Sequence, residues 1–278
     1  MPASDKISRR RQLLTVTRYE LLKYLRGRRL LAAIILAIVV SLLILLIPLI
    51  VGLENPARIS DFLVQFVSFI DILIVIGATL FGADALVSEF QHKTAYLLFP
   101  NPVSRAVIFF GKYLASAIAT FIMILVFYGI TGIASFGFYS ELPIQFFYSL
   151  AVAGLYALSI LALAFLISSL MRGSTGSSVL TFLLFFLILP IFDFGLTFAQ
   201  VKPWFSATFA SGIMWNIVIT PYPSDFVFNI PVFLAPGSEG LTITNYVPEL
   251  NLSIGLLLLY MLFGLAVSLR LFSRKEMV

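Results

Sequence analysis

The chain has 278 residues, of which 60% are apolar and only 11% charged, with a formal net charge of +5 and a mean hydropathy of +1.06. A soluble domain carries about a quarter charged residues, so the composition excludes an ordinary water-soluble globule and makes lipid the solvent. The absence of cysteine excludes disulfides, iron–sulfur clusters and thiolate zinc sites, and a single histidine, His92, leaves no bis-histidine haem or histidine-rich metal centre.

Residues 1–29 read as a cytoplasmic segment built on an amphipathic interface helix over 8–27. Leu14, Leu21 and Leu25, with Leu22 beside them, share a face, and Arg10, Arg11, Lys23 and Arg26 supply the charged remainder. Ser8 can cap this helix and Gly27 can end it. The apolar run that follows is too long for a signal peptide and lacks a small-residue cleavage pattern around Pro48, so it reads as retained.

Residues 30–278 read as a six-span transmembrane domain, with spans at about 30–51, 62–83, 107–134, 146–170, 177–199 and 252–270, each near the 20 apolar residues a crossing needs. The third span is long enough for Lys112 to snorkel to the headgroups. With the N-terminus inside, sixteen of the eighteen lysines and arginines fall on that side, and only Arg58 and Lys202 fall on the other. The positive-inside rule therefore places both termini in the cytoplasm, and a plasma-membrane location follows. The opposite side is acidic, with Glu54, Asp61, Glu141, Asp225, Glu239 and Glu249.

Two carboxylates fall within spans. Asp71 lies near the middle of the second, where an acid is costly and marks either a functional group or one bonded to a hydroxyl such as Ser68 or Tyr128. Asp193 follows Pro190 near the outer end of the fifth and reads as structural. The external loop 200–251 holds Pro203, Pro221, Pro223, Pro231, Pro236 and Pro248 among many aromatics. Its apolar stretch 204–220 is short, and a seventh crossing there would move Arg270, Arg274 and Lys275 outside. Re-entrant or interfacial helices fit better. The expected fold is thus an all-α integral membrane protein.

The turn Arg172-Gly173-Ser174-Thr175-Gly176-Ser177-Ser178 is glycine-rich but lacks the lysine and the preceding strand of a phosphate loop, so no nucleotide site is expected on this chain. The one sizeable polar interval beyond the N-terminus is 84–105. Leu86, Phe90, Leu97 and Leu98 lie near one side of a helix there, Ser88, Glu89, Gln91, His92 and Lys93 are polar, and Pro100 and Pro102 stop the helix. On physical grounds a docking helix and a passive loop helix are equally good readings.

The run Glu89-Phe90-Gln91-His92-Lys93-Thr94-Ala95-Tyr96-Leu97-Leu98-Phe99-Pro100-Asn101-Pro102-Val103-Ser104-Arg105, followed by Gly111-Lys112, resembles the corresponding motif of ABC transporter permeases of the type-2 (ABC-2) exporter family. Glu89, Thr94, Leu97, Leu98, Pro102, Ser104, Arg105, Gly111 and Lys112 stand where the family has them, while Lys93 replaces the family's glycine, the residue that takes φ > 0 freely. The resemblance implies a permease that forms the translocation path as a dimer, as a homodimer or with a related permease, driven by two copies of a separate ATPase that bind ATP and Mg. No cofactor, metal or catalytic group is implied on this chain, and no nucleic-acid partner. A cytoplasmic coupling helix would fall in 84–105, with Asp84, Ser88, Glu89, Gln91, His92, Lys93, Thr94, Pro102 and Arg105 as its coupling residues. Glu89 and Arg105 would fix it by ion pairs or helix caps, and Gln91, His92 and Lys93 would face the ATPase. The competing readings are a proton-coupled carrier using Asp71 and a structural membrane anchor. The apolar bundle and aromatic cap favour an amphipathic substrate.

Overall fold

A computed structural model describes residues 8–91, 104–230 and 241–274, without the side chains of Phe90, Asn229, Ile230 and Leu241. Helix α1 (Arg9–Arg26) starts at Ser8, whose hydroxyl accepts from the Arg11 N–H at 3.4 Å, and stops at Gly27. Arg28 then takes a left-handed conformation (φ 59°), which turns the chain into α2 (Arg29–Val51), the first span. Six helical segments are long and apolar enough to cross a membrane, the others being Ile59–Phe81, Arg105–Tyr139, Ile144–Leu170, Ser174–Phe198 and Leu250–Arg274.

The second span is interrupted: α3 (Ile59–Val67) and α4 (Ile70–Phe81) meet at Ser68, which donates back to the Val64 carbonyl at 2.6 Å. Such back-bonding competes with the helical ladder and bends it. After the five-residue α5 (Val87–Gln91), the third span α6 (Arg105–Tyr139) runs for 35 residues, about 52 Å. That exceeds a hydrocarbon core of about 30 Å, so α6 projects beyond it. The fourth span α7 (Ile144–Leu170) is the centre of the bundle, with Tyr156, Ile160, Leu161 and Phe165 fully buried.

The fifth span comprises α8 (Ser174–Leu183), a π-helical turn (Leu184–Ile188) and α9 (Leu189–Phe198). Pro190 explains the change of register, since it has no N–H for the carbonyl one turn earlier. Two single-turn helices, α10 (Ala207–Ala210) and α11 (Ile213–Asn216), and then the sixth span α12 (Leu250–Arg274), complete the helices among the described residues. The last packs hard on the fourth: a Cβ on Gly264 would lie 2.9 Å from the backbone of Ala162.

The loop between the fifth and sixth spans carries an addition to the expected all-α plan. Strands β1 (Phe226–Ile230) and β2 (Leu241–Asn245) pair antiparallel, Phe226 opposite Asn245 and Ile230 opposite Leu241. Both strands are rich in β-branched or aromatic residues, the types a pleated ribbon favours. Gln200 holds the ribbon to the end of the fifth span: its amide donates to the Thr242 carbonyl at 2.9 Å and accepts from the Thr244 hydroxyl at 2.6 Å. Lys202 pairs with Asp225 at 3.2 Å and Glu249 at 3.5 Å across the same loop.

Candidate coupling site

The site grows from α1. Its buried residues are Thr17 and Tyr24, with Glu20 between them; of the leucines that periodicity selects, Leu21 packs partly against the core and Leu22 is half-buried, while Leu14 and Leu25 are exposed. The reason is the partner helix. Thr17 donates to the Gly111 carbonyl of α6 at 3.2 Å, and Val16 sits where a Cβ on Gly111 would lie, 2.6 Å from Val16 Cγ1. Glycine at 111 is what lets α1 and α6 approach so closely. Tyr24 donates to the Phe81 carbonyl at 3.0 Å and meets Ser116 Oγ at 3.0 Å, joining α1 to the end of the second span and to α6. Burial, reinforced by the Glu20 charge, holds the Tyr24 phenol well above its ordinary range, so it remains a donor.

One turn from Tyr24, Glu20 accepts a hydrogen bond from Lys112 of α6, and Lys112 Nζ also donates to Glu89 Oε1 of α5 at 2.6 Å. Lys23 approaches the same two carboxylates at 3.5 and 3.9 Å. Lys112 is 1% exposed. It therefore does not snorkel; buried Glu89 and part-buried Glu20 turn it inward, and their charges offset the cost of removing an ammonium from water. Among the described residues, two cations and two anions from α1, α5 and α6 thus meet in one knot.

The rest of the polar interval is tied down around this knot. Asp84 accepts from Arg29 at 2.8 Å, at the start of the first span. Ser168, near the end of the fourth span, receives the N–H groups of Leu86 and Val87, both at 3.1 Å, just before and at the first turn of α5. Ser177 of the fifth span donates to the Ala83 carbonyl, and Gln91 Oε1 accepts from the Ser174 N–H at 2.7 Å. Ser88 is buried, its N–H donating to the Asp84 carbonyl at 3.1 Å. Ser104 caps α6 by accepting from Val107, and Arg105 donates to the Ser273 carbonyl at the end of the sixth span, at 2.6 Å.

Of the residues singled out from sequence, Asp84, Ser88, Glu89, Gln91 and Arg105 are therefore brought together at one end of the bundle. His92, Lys93, Thr94 and Pro102 lie outside the described residues. Glu89 makes the ion pair expected of it, and Arg105 bonds a helix C-terminus. Gln91 turns its carbonyl oxygen to the fifth span. Sequence reasoning missed Glu20, Tyr24, Ser168 and Ser177. Glu20 was legible as the sole acid of α1, one turn from Tyr24 and on its stripe; the serines carried no signal, because their partners are distant in the chain.

Asp71 lies elsewhere and does not bond Ser68 or Tyr128. Ser68 is engaged with Val64, and Tyr128 meets Ser149 Oγ at 2.8 Å. Tyr156 and Ser211 stand beside Asp71, yet Asp71 Oδ1 and Tyr156 Oη make no hydrogen bond of ordinary geometry. Among the described residues no group of three or more histidine, cysteine or acidic side chains could hold a metal ion.

No curated protein matches the chain. The sequence profile described as ABC-2 family transporter protein matches residues 14–277, from within α1 to beyond the sixth span, and so takes in Glu20, Glu89 and Lys112 alike. The chain is a membrane permease, and it belongs to the ABC-2 transporter family.

Proposed function

We propose that this permease forms its translocation path as a dimer and is driven by two copies of a separate ATPase, which bind ATP and Mg and dock on the segment 84–105. The observation that carries this reading is the buried Lys112 knot. It makes α5 and α1 one unit with the third span, so a push delivered to 84–105 cannot be absorbed locally. Breaking a buried ion pair costs about 3–5 kcal/mol, enough to keep the unit intact under an ordinary conformational load. Asp84 with Arg29, Gln91 with Ser174 and Arg105 with Ser273 extend the link to the first, fifth and sixth spans.

In this reading residues 1–29 form an interface helix at the cytoplasmic surface, with exposed Leu14 and Leu25 toward lipid, and 30–278 form the transmembrane domain. Both termini lie in the cytoplasm of a plasma-membrane protein. The second and fifth spans line the dimer path; the fifth leaves Val179, Phe186, Ile191 and Phe194 exposed for lipid or a second copy. Residues 204–220 act as a re-entrant cap. Support comes from Tyr260, ten residues or about 15 Å inside the sixth span, which donates to the Phe205 carbonyl at 2.6 Å. Membership of a transporter family favours ATP-driven movement over a carrier powered through Asp71 or an inert anchor.

Charge reversal tests the proposal: Glu89→Lys and Arg105→Glu, each made singly, uncouple ATP hydrolysis by the co-purified ATPase from transport. Full coupling retained in both variants would sink it.

A further inference from the structure

A crevice of about 250 Å³ opens between the fourth, fifth and sixth spans. Leu163 and Ile167 of the fourth span line it, with Phe185 and Phe192 of the fifth, Tyr260 of the sixth, and Ser206 at the head of α10. It sits against the π-helical turn, a deformation frequent at functional sites. Its volume falls just below the roughly 300–1,000 Å³ of sites for drug-sized ligands, so a small molecule is the right scale of occupant.

Ser206 connects this apolar crevice to a buried charge. Its hydroxyl donates to Asp193 Oδ2 at 2.8 Å, and Thr208 donates to the same oxygen at 2.5 Å. Asp193 is 8% exposed, and its other oxygen, Oδ1, has no hydrogen-bond partner. The Phe209 N–H lies beside the carboxylate but is engaged with Ser206 Oγ at 3.5 Å. Among the described residues no lysine or arginine pairs with Asp193, and Lys202 is occupied by Asp225 and Glu249. A buried carboxylate left in this condition is costly. Protonation would remove the charge but leave an O–H at Oδ1 without an acceptor. A cation would pair the charge itself.

We propose that this crevice binds a small amphipathic cation, an alkyl chain ending in an ammonium group, with the chain against Phe185, Phe192 and Ile167 and the positive end paired with Asp193. Entry of the ammonium group displaces the Ser206 hydroxyl from Oδ2 and exposes the carboxylate to it. The site lies within one chain, away from the coupling knot, and stands whether or not the coupling reading holds.

Equilibrium binding of radiolabelled octyltrimethylammonium to the purified permease in lipid nanodiscs tests this without ATP or transport. We expect saturable binding at one site per chain, weakened at least tenfold by Asp193→Asn and kept within threefold by Asp193→Glu. The uncharged isostere 2,2-dimethyldecane should fail to compete. Ile167→Trp, which fills the crevice, should remove saturable binding while Asp193 is intact. Ser206→Ala keeps the carboxylate and removes a competing donor, so it should bind at least as tightly as the unaltered protein, which covers the case in which Asp193→Asn misfolds. Equal affinity in Asp193→Asn, competition by the isostere, weaker binding by Ser206→Ala, or no binding above partition into lipid would overturn the proposal.

Discussion

Lys112 concentrates the electrostatics of this end of the bundle on one side chain. Replacing it by methionine removes the ammonium that Glu20 and Glu89 share, and leaves half-exposed Lys23 at longer range from both. Lys112→Met should therefore cost about 3–5 kcal/mol, read as a lowered melting temperature of the purified permease. Adding Glu20→Gln and Glu89→Gln to it should recover most of that loss, because the carboxylate charges that Lys112 offset go with the lysine. The triple variant should remain folded yet lose coupling between ATP hydrolysis and transport, since an apolar contact does not hold α5 in register. A triple variant with unaltered coupling would reduce the knot to a packing feature. Tyr24→Phe is a milder change. It removes one donor while Ser116 still serves the Phe81 carbonyl at 2.7 Å, and about 1 kcal/mol is the expected cost.

At the level of elements, two glycines set two helix contacts. Gly111→Leu drives a side chain into Val16 and should lift α1 from the third span, at about 1–3 kcal/mol for overpacking if the helix yields partly. The readout is limited trypsin digestion, with cleavage after Arg18 and Lys23 appearing in the variant and absent from the parent. Gly264→Val has less room to yield, because the obstruction is the Ala162 backbone rather than a side-chain tip. It should separate the fourth and sixth spans and lower the melting temperature further than Gly111→Leu does. The α1 surface has two jobs on neighbouring stripes. Thr17, Glu20 and Tyr24 grip the protein, and Leu14 and Leu25 stay exposed, where the proposed interface helix would meet lipid. Only the second stripe looks hydrophobic.

For the whole molecule, the first, fifth and sixth spans lie at the periphery with long exposed apolar faces, while the fourth is enclosed. A lone chain in a bilayer would turn those faces to lipid, and a dimer would cover part of them. Orientation can be measured directly because the chain has no native cysteine. Lys202→Cys should react with a membrane-impermeant maleimide on intact cells, and Arg10→Cys only after permeabilisation. The reverse pattern would invert the topology and place the coupling knot on the wrong side for a cytoplasmic ATPase.

The six apolar segments, their order and the basic bias of one side were determined by the sequence alone. Lipid demands long uninterrupted apolar helices, and nothing else produces runs of that length. The capping of α1 by Ser8, its stop at Gly27 and the polar interval 84–105 were legible for the same reason: local hydrogen bonding and helix-breaking act between neighbours in the chain. The β-ribbon had a local signal too, in the β-branched and aromatic residues of 226–230 and 241–245, but among so many aromatics it read as interfacial cap.

What only the tertiary structure decided were the partnerships. Lys112 is a snorkelling lysine until Glu20 and Glu89, 92 and 23 residues away, arrive beside it. Ser168 and Ser177 are ordinary small residues until they meet the backbone of 83, 86 and 87, and Ser174 until its N–H meets the Gln91 side chain. Asp193 shows an unserved oxygen only once α10 has folded back against the fifth span. A charge or a hydroxyl carries no mark of its partner in the sequence, because desolvation and pairing are properties of the assembled neighbourhood and not of the residue.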